Sequence, residues 1–138
     1  MMNDEFFTAF LDQKLTSKEQ IHRFIGEFAN PDAAAELVSL LQRRETVGNT
    51  MIAEHVILPH LESPKVKRSQ ILVIRLADPI DFDDTTREIQ LIVTILLKSE
   101  EEQATKQKIA QFTRRLADED FLTELLTNQS KKTIYQLL

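Results

Sequence analysis

Two long apolar runs in the middle of the chain predict strands that are covered on both faces. They span 70–76 and 88–97, and both are rich in β-branched residues and do not alternate with polar positions. A shorter run, Val56-Ile57-Leu58, ends at Pro59, and a proline suits the end of a strand because it lacks a backbone donor. One or two further strands are expected near the N-terminus or within 46–53.

The segments around these runs are less regular. We expect a loop over 61–68 and an acidic loop over 80–84, with Asp78-Pro79 ending the strand that begins at residue 70. The apolar residues within 6–11 have the spacing of a helix, but the pattern is too short to decide between helix and strand.

Helical periodicity is present on both sides of the predicted strands. Ser17 has the position of an N-cap before the apolar stripe of 21–28, and His22 lies beside that stripe, where we expect it to be exposed. Asn30-Pro31 has the cap and first-turn proline of a second helix. Ser99 is expected to cap a helix that starts with glutamates. Helices are predicted over about 17–28, 31–44, 99–116, 118–126 and 130–138.

Buried strands separated by helical segments predict the α/β fold class. We expect a single domain over 1–138, with a mixed, mostly parallel sheet of about five strands flanked by helices on both faces. A length of 138 residues with 42% hydrophobic and 28% charged content suits one globular core. The chain lacks a signal-like start and an apolar run of about 20 residues, so we expect a cytoplasmic protein without membrane insertion.

The composition argues against several classes of chemistry. The chain has no cysteine, which excludes disulfides, thiolate nucleophiles and cysteine-ligated metals. Its only glycines, Gly26 and Gly48, are too few for a glycine-rich phosphate cradle. A net charge of −5 argues against a nucleic-acid partner, because phosphate backbones require a basic face.

His60 is the residue that allows a functional hypothesis. It follows an apolar run and Pro59 directly, so its ring is expected at the edge of an element, where a partner can reach it. An imidazole with a pKa of about 6.5 is largely neutral near neutral pH and can act as a nitrogen nucleophile. From the pattern alone, a loop histidine without chemistry is the more common interpretation.

Four stretches together resemble the enzyme IIA domains of the fructose–mannitol class of the bacterial phosphotransferase system. They are Arg44-Glu45, Thr50, the run from Val56 to His60, and the segment from Ala77 to Phe82. The resemblance implies that His60 accepts a phosphoryl group from the phosphocarrier protein HPr and passes it to a IIB domain. It also implies that Arg44 lies near the phosphorylated ring, and that the fold is one α/β domain with a mixed sheet between helical layers.

The chain departs from the pattern of this family at three places. Thr105 stands where many members have a second histidine, His55 where glycine is common, and Leu61-Glu62 where a small residue follows the active histidine. Thr50 and Thr105 are candidate supporting residues, or only a turn hydroxyl and a first-turn helix residue. Arg44 either holds phosphate or interacts with its own helix dipole.

Phosphoryl transfer depends mainly on positioning and on charge stabilisation, so we expect neither a cofactor nor a metal. The expected function is a phosphocarrier for sugar uptake with HPr and a IIB domain as partners, and a homodimer remains open. A second hypothesis is a regulatory domain that senses phosphorylation without passing it on. A third, motivated by Glu62 and Thr105, is a domain that binds HPr without accepting phosphate.

Overall fold

The computed structural model describes residues 6–48 and 50–138. The strands in this part of the chain are β1 (Phe7–Gln13), β2 (Met51–Ala53), β3 (Val56–Ile57), β4 (His60–Ser63), β5 (Gln70–Ile80) and β6 (Ile89–Lys98). The helices are α1 (Lys18–Ala29), α2 (Ala34–Val47), α3 (Gln103–Arg115), α4 (Glu119–Thr127) and α5 (Lys131–Leu137), and a short 3₁₀ turn, Pro31–Ala33, precedes α2. Within the described ranges no helix is both long and apolar enough to cross a bilayer.

The strands form one mixed sheet in the order β1-β5-β6-β3-β2, and β4 also pairs with β6. β1 runs parallel to β5, and both β3 and β4 run parallel to β6. The β5–β6 and β2–β3 pairings are antiparallel. The predicted α/β class with a mixed, mostly parallel sheet is therefore confirmed, with six strands in the described chain where about five were expected.

Two apolar layers cover the sheet and explain why its central strands lack alternation. Along β5, Ile71 and Val73 face the layer of α3, α4 and α5, whereas Leu72, Ile74 and Leu76 face the layer of α1 and α2. Both sets are fully buried, so the run does not alternate with polar positions. Its one charged residue, Arg75, is buried as well and donates to the carbonyl oxygen of Leu125 at 2.9 Å. The prediction of helices on both faces is confirmed.

The N-caps of α1 and of the turn before α2 form as predicted. The Ser17 side chain accepts from the backbone N–H of Gln20, and the Asn30 side chain accepts from that of Asp32. The predicted cap at Ser99 is wrong, because α3 begins later, at Gln103.

The close packing of α1 against α2 depends on Gly26. A Cβ atom at this position would lie 2.9 Å from the carbonyl oxygen of Ala34 and 3.0 Å from a methyl group of Val38. The absence of a side chain therefore lets the two helices approach, and α2 is brought down towards β4.

The strand expected near the N-terminus is confirmed, since residues 7–13 form β1 beside β5 and Ala9 lies in the core. Two further expectations from the pattern require correction. The expected loop over 61–68 contains most of β4, which is short and lies at the sheet margin. Asp78-Pro79 does not end β5, which continues to Ile80 with an irregular register after Arg75.

Candidate functional site

The histidine of interest, His60, is the first residue of β4. β3 and β4 pair with the same side of β6 and are separated by Leu58-Pro59. The ladder is kept through this break, because the carbonyl oxygen of Pro59 accepts from the N–H of Ile95 at 3.0 Å. The strand predicted over Val56–Leu58 is found as β3, which ends one residue earlier, at Ile57. The histidine follows Pro59, which has no N–H, at a fixed point of the sheet.

Alternation along β4 presents the imidazole to solvent. His60 and Glu62 are exposed, whereas Leu61 and Ser63 are buried. Leu61 packs into the apolar layer between the sheet and α2, and this contact holds β4 in place. The two polar side chains are therefore carried on a rigid element and not on a mobile loop.

His60 lies in a concavity of about 270 Å³ between β4 and α2. Leu40 and Arg44 reach it from α2, and Leu61 and Glu62 complete its lining. Arg44 belongs to the last turn of α2, so its charge stands at the helix end with partial negative character. The structure thus brings together the two principal residues of the sequence hypothesis, His60 and Arg44.

The surroundings of His60 lower its pKa below the ordinary value of 6.5. The largest cause is desolvation of the covered part of the ring, which disfavours the charged form. The negative charge of Glu62 acts in the opposite direction and raises the pKa, while the positive charge of Arg44 lowers it. The neutral imidazole is the favoured form near neutral pH, and that form has a free electron pair for attack.

These groups define what the concavity can do chemically. The neutral ring nitrogen is a nucleophile, and the guanidinium of Arg44 presents a planar set of donors that suits phosphate oxygens. Glu62 places a negative charge beside them, which opposes a bound anion. The concavity therefore combines a nucleophile with donors for an anion and one opposing charge.

The two threonines of the sequence hypothesis lie elsewhere. Thr50 lines a different concavity with Glu45 and Phe82, and its carbonyl oxygen accepts from the N–H of Leu58 at 2.9 Å. Thr105 is in the first turn of α3, on the opposite side of the sheet from α2. Neither is among the described residues that line the His60 concavity.

His55 shows why glycine suits its position. Its φ of 72° lies in the left-handed region, which side chains disfavour. The carbonyl oxygen of His55 accepts from the N–H groups of Gln90 and Leu91, which ties the β2–β3 turn to β6. Its ring Nδ1 donates to the carbonyl oxygen of Glu88 at 2.7 Å, and this bond partly offsets the backbone strain.

His22 is buried, contrary to the expectation that it is exposed. Its side chain is 2% exposed, and its Nε2 lies 2.7 Å from a carboxylate oxygen of Glu45 in the last turn of α2. Gly26 and Ala29 follow at the helical spacing of the same face, and both are buried. Small residues at this spacing predict that a second helix packs closely against this face of α1. The sequence therefore contains a signal that His22, on the same face, is buried.

The family described as "Phosphoenolpyruvate-dependent sugar phosphotransferase system, EIIA 2" matches residues 5–138 of the chain. The "Multiphosphoryl transfer protein" of Shigella flexneri is 28% identical over 133 residues, which are 94% of this chain and 16% of that protein. The chain thus spans a small part of that relative. The "Nitrogen regulatory protein" of Bradyrhizobium diazoefficiens is 31% identical over 130 residues, 91% of this chain and 84% of that protein.

Solved structures share the fold. The nitrogen regulatory protein IIA-Ntr from Neisseria meningitidis has a TM-score of 0.80 at 19% identity, with 99% of each chain covered. Enzyme IIAMTL in its complex with phosphorylated enzyme IIBMTL from Escherichia coli has a TM-score of 0.72 at 21% identity, with 95% of this chain and 96% of that chain covered. At these identities the similarity concerns the fold alone.

Proposed function

The chain belongs to the EIIA 2 family of the phosphoenolpyruvate-dependent sugar phosphotransferase system, and we propose from this that it is a phosphocarrier acting through His60. Phospho-HPr is the proposed donor and a IIB domain of a sugar permease the proposed acceptor. The observation that carries the proposal is the shared concavity of His60 and Arg44. The proposed location is the cytoplasm, where a carrier without a nucleic-acid partner would meet both proteins.

The proposed step is the transfer of a phosphoryl group between two imidazoles. The neutral ring nitrogen of His60 attacks the phosphorus of the donor's phosphohistidine, and a new P–N bond forms as the donor's P–N bond breaks. The electron pair of the broken bond returns to the donor imidazole. Arg44 donates hydrogen bonds to the phosphoryl oxygens, so that charge is met by a fixed cation during the transfer.

Thr50 and Thr105 are proposed as supporting residues on the resemblance alone. Their hydroxyl groups would act by ordering the chain near the site or the surface that a partner contacts.

A second copy of the chain is a further proposed partner. The exposed side chains of Val47 and Ile52 would form the apolar contact between the two copies.

Labelling with phosphoenolpyruvate tests the proposal. The protein is incubated with labelled phosphoenolpyruvate, enzyme I and HPr, and we expect one acid-labile label per chain. The variant His60→Gln should take up no label, whereas the matched variant His55→Gln should be labelled as the original protein. Label retained in His60→Gln would refute the site, and absence of label in the original protein would refute the carrier function.

A regulatory function is the second candidate. It is favoured by the 31% identity to a nitrogen regulatory protein of which the chain covers 84%. In this case His60 accepts the phosphoryl group but no IIB domain removes it. A chase of the labelled protein with a panel of IIB domains distinguishes the two functions, because a carrier loses its label to one of them and a sensor retains it.

A further inference from the structure

We propose that the buried His22–Glu45 pair is a positioning device that holds Arg44 against the His60 concavity. The inference rests on the proposed function of His60, and it assigns a role to a pair that lies outside the concavity itself. His22 and Glu45 act through Arg44 and do not contact the transferred group.

The end of α2 has little apolar anchoring. Leu37 and Leu41 are its buried residues, and both lie before its last turn. In that last turn Val47 is 80% exposed, so it cannot hold the helix end in place. Arg44 is thus carried on a segment that needs another fixed contact.

The His22–Glu45 bond provides this contact. A carboxylate only accepts, so Nε2 of His22 donates to Glu45 at 2.7 Å, with 2% of the first side chain and 17% of the second exposed. A hydrogen bond to a charged group that is shielded from solvent is stronger than the same bond at the surface. Nδ1 of the same ring is buried and has no hydrogen-bond partner among the residues that the structure describes, so the bonding of the ring is directed to Glu45 alone.

The ring of His22 is itself held in place. Phe82 packs edge-on against it, with ring centroids 6.3 Å apart and an angle of 86° between the planes. α1 is anchored in the core by Ile21 and Ile25 on either side of His22. The fixed His22 ring therefore holds Glu45 in place. Because Glu45 follows Arg44 directly on α2, this contact also fixes the orientation of the helix end that carries the Arg44 guanidinium.

A positioning role predicts a particular change at His60. When the helix end is released, the Arg44 charge moves away from the ring, and the pKa of His60 rises because a nearby cation disfavours protonation. The lost carboxylate charge of a Glu45 variant would act in the opposite sense and lower that pKa. The sign of the change therefore separates displacement of Arg44 from a direct electrostatic effect of Glu45.

The experiment measures the His60 pKa by NMR titration of its ring C–H signal, and the rate of labelling by preformed phospho-HPr. The variants are Glu45→Ala, Glu45→Gln, His22→Ala and Arg44→Ala, together with Glu45→Ala/Arg44→Ala. We expect Glu45→Ala to raise the His60 pKa and to slow labelling about tenfold. Glu45→Gln retains an acceptor for His22, so it should restore most of the rate.

The double variant is decisive. If the pair acts through Arg44, Glu45→Ala has no further effect once Arg44 is alanine. The proposal is wrong if Glu45→Ala slows labelling equally with Arg44 present and with alanine in its place. It is also wrong if the His60 pKa is unchanged in Glu45→Ala and His22→Ala.

The pKa is measured on unphosphorylated protein, so the titration tests the positioning even when labelling fails. A failure of labelling in every variant would refute the carrier function. Circular dichroism verifies that each variant folds. If His22→Ala does not fold, Glu45→Ala still tests the proposal, because the side chain that it removes is partly exposed.

Discussion

His60 and Glu62 lie two residues apart on the exposed face of β4, and both line the concavity that Arg44 enters from α2. The ring thus has a cation and a carboxylate as neighbours, whose charges act on its pKa in opposite directions. A phosphoryl group on His60 would be attracted by Arg44 and repelled by Glu62. In the proposed transfer, the balance between these two side chains would set how readily the group is accepted and released.

Neutralising Glu62 should favour the phosphorylated state. In Glu62→Gln we expect the labelled fraction at a fixed ratio to HPr to rise about two- to fivefold, which is the range for an exposed charge pair. The same variant should lower the His60 pKa, because the group that raises it is removed. Glu27→Gln, on the exposed side of α1, is the matched control. A lower labelled fraction in Glu62→Gln would show that the carboxylate assists transfer.

The pH dependence of labelling should reflect the lowered pKa of His60. Protonation removes the electron pair that attacks phosphorus, so the rate falls as the pH drops through the pKa of the ring. Since that pKa lies below 6.5, the acid limb should lie below pH 6.5. Initial rates with preformed phospho-HPr between about pH 5 and about pH 8 measure it. Arg44→Ala should move the limb to higher pH, and an acid limb above 6.5 in the original protein would contradict the assignment.

Alanine at the two threonines should have small effects. Thr50 and Thr105 are not among the described residues that line the His60 concavity, so we expect Thr50→Ala and Thr105→Ala to label at rates within about threefold of the original protein. Arg44→Ala, measured beside them, should lose at least about tenfold. A comparable loss in Thr105→Ala would show that the first turn of α3 takes part in the transfer.

Substitutions at His55 should follow the left-handed backbone. His55→Val should reduce the free energy of unfolding by about 2 kcal/mol, because a β-branched side chain is strained at a φ of 72°. His55→Gly should be close to neutral, since relief of strain offsets the lost bond to Glu88. Chemical denaturation gives both values. Equal destabilisation by glycine and valine would mean that the ring contact, and not the backbone, determines stability here.

The two glycines offer a matched test of helix packing. Gly26→Ala should destabilise by about 1–2 kcal/mol, because the new Cβ would meet the backbone of Ala34 at 2.9 Å. Gly48→Ala should be nearly neutral, since a Cβ there meets no described atom within 4 Å. Thermal unfolding of both variants measures the difference. Gly26→Ala should also slow labelling, because α2 would be pushed away from β4.

The central part of the fold was predictable because its signal is local. The runs that became the centres of β5 and β6 carry apolar residues on both faces, which follows from burial between two helical layers. β4 was missed because four residues with two exposed side chains do not differ from a loop. β1 was ambiguous because its apolar spacing also fits a helix.

The site was less predictable because its members are far apart in sequence. His60 could be singled out by its place after Pro59, but its proximity to Arg44 depends on how α2 packs over β4. The His22–Glu45 bond joins two helices, and no local pattern contains it. The apolar stripe of α1 alone predicts that His22 is exposed, whereas α2 covers it in the fold.

The break at Leu58-Pro59 has a consequence for self-association. A sheet margin that is open to solvent is a template for strands of other chains. β4 is only four residues long and lies between Pro59 and Pro64. At the opposite margin the N–H of Ala9 donates to the hydroxyl of Tyr135 at 2.8 Å. The chain can therefore expose His60 on a sheet edge with little risk of edge-to-edge aggregation.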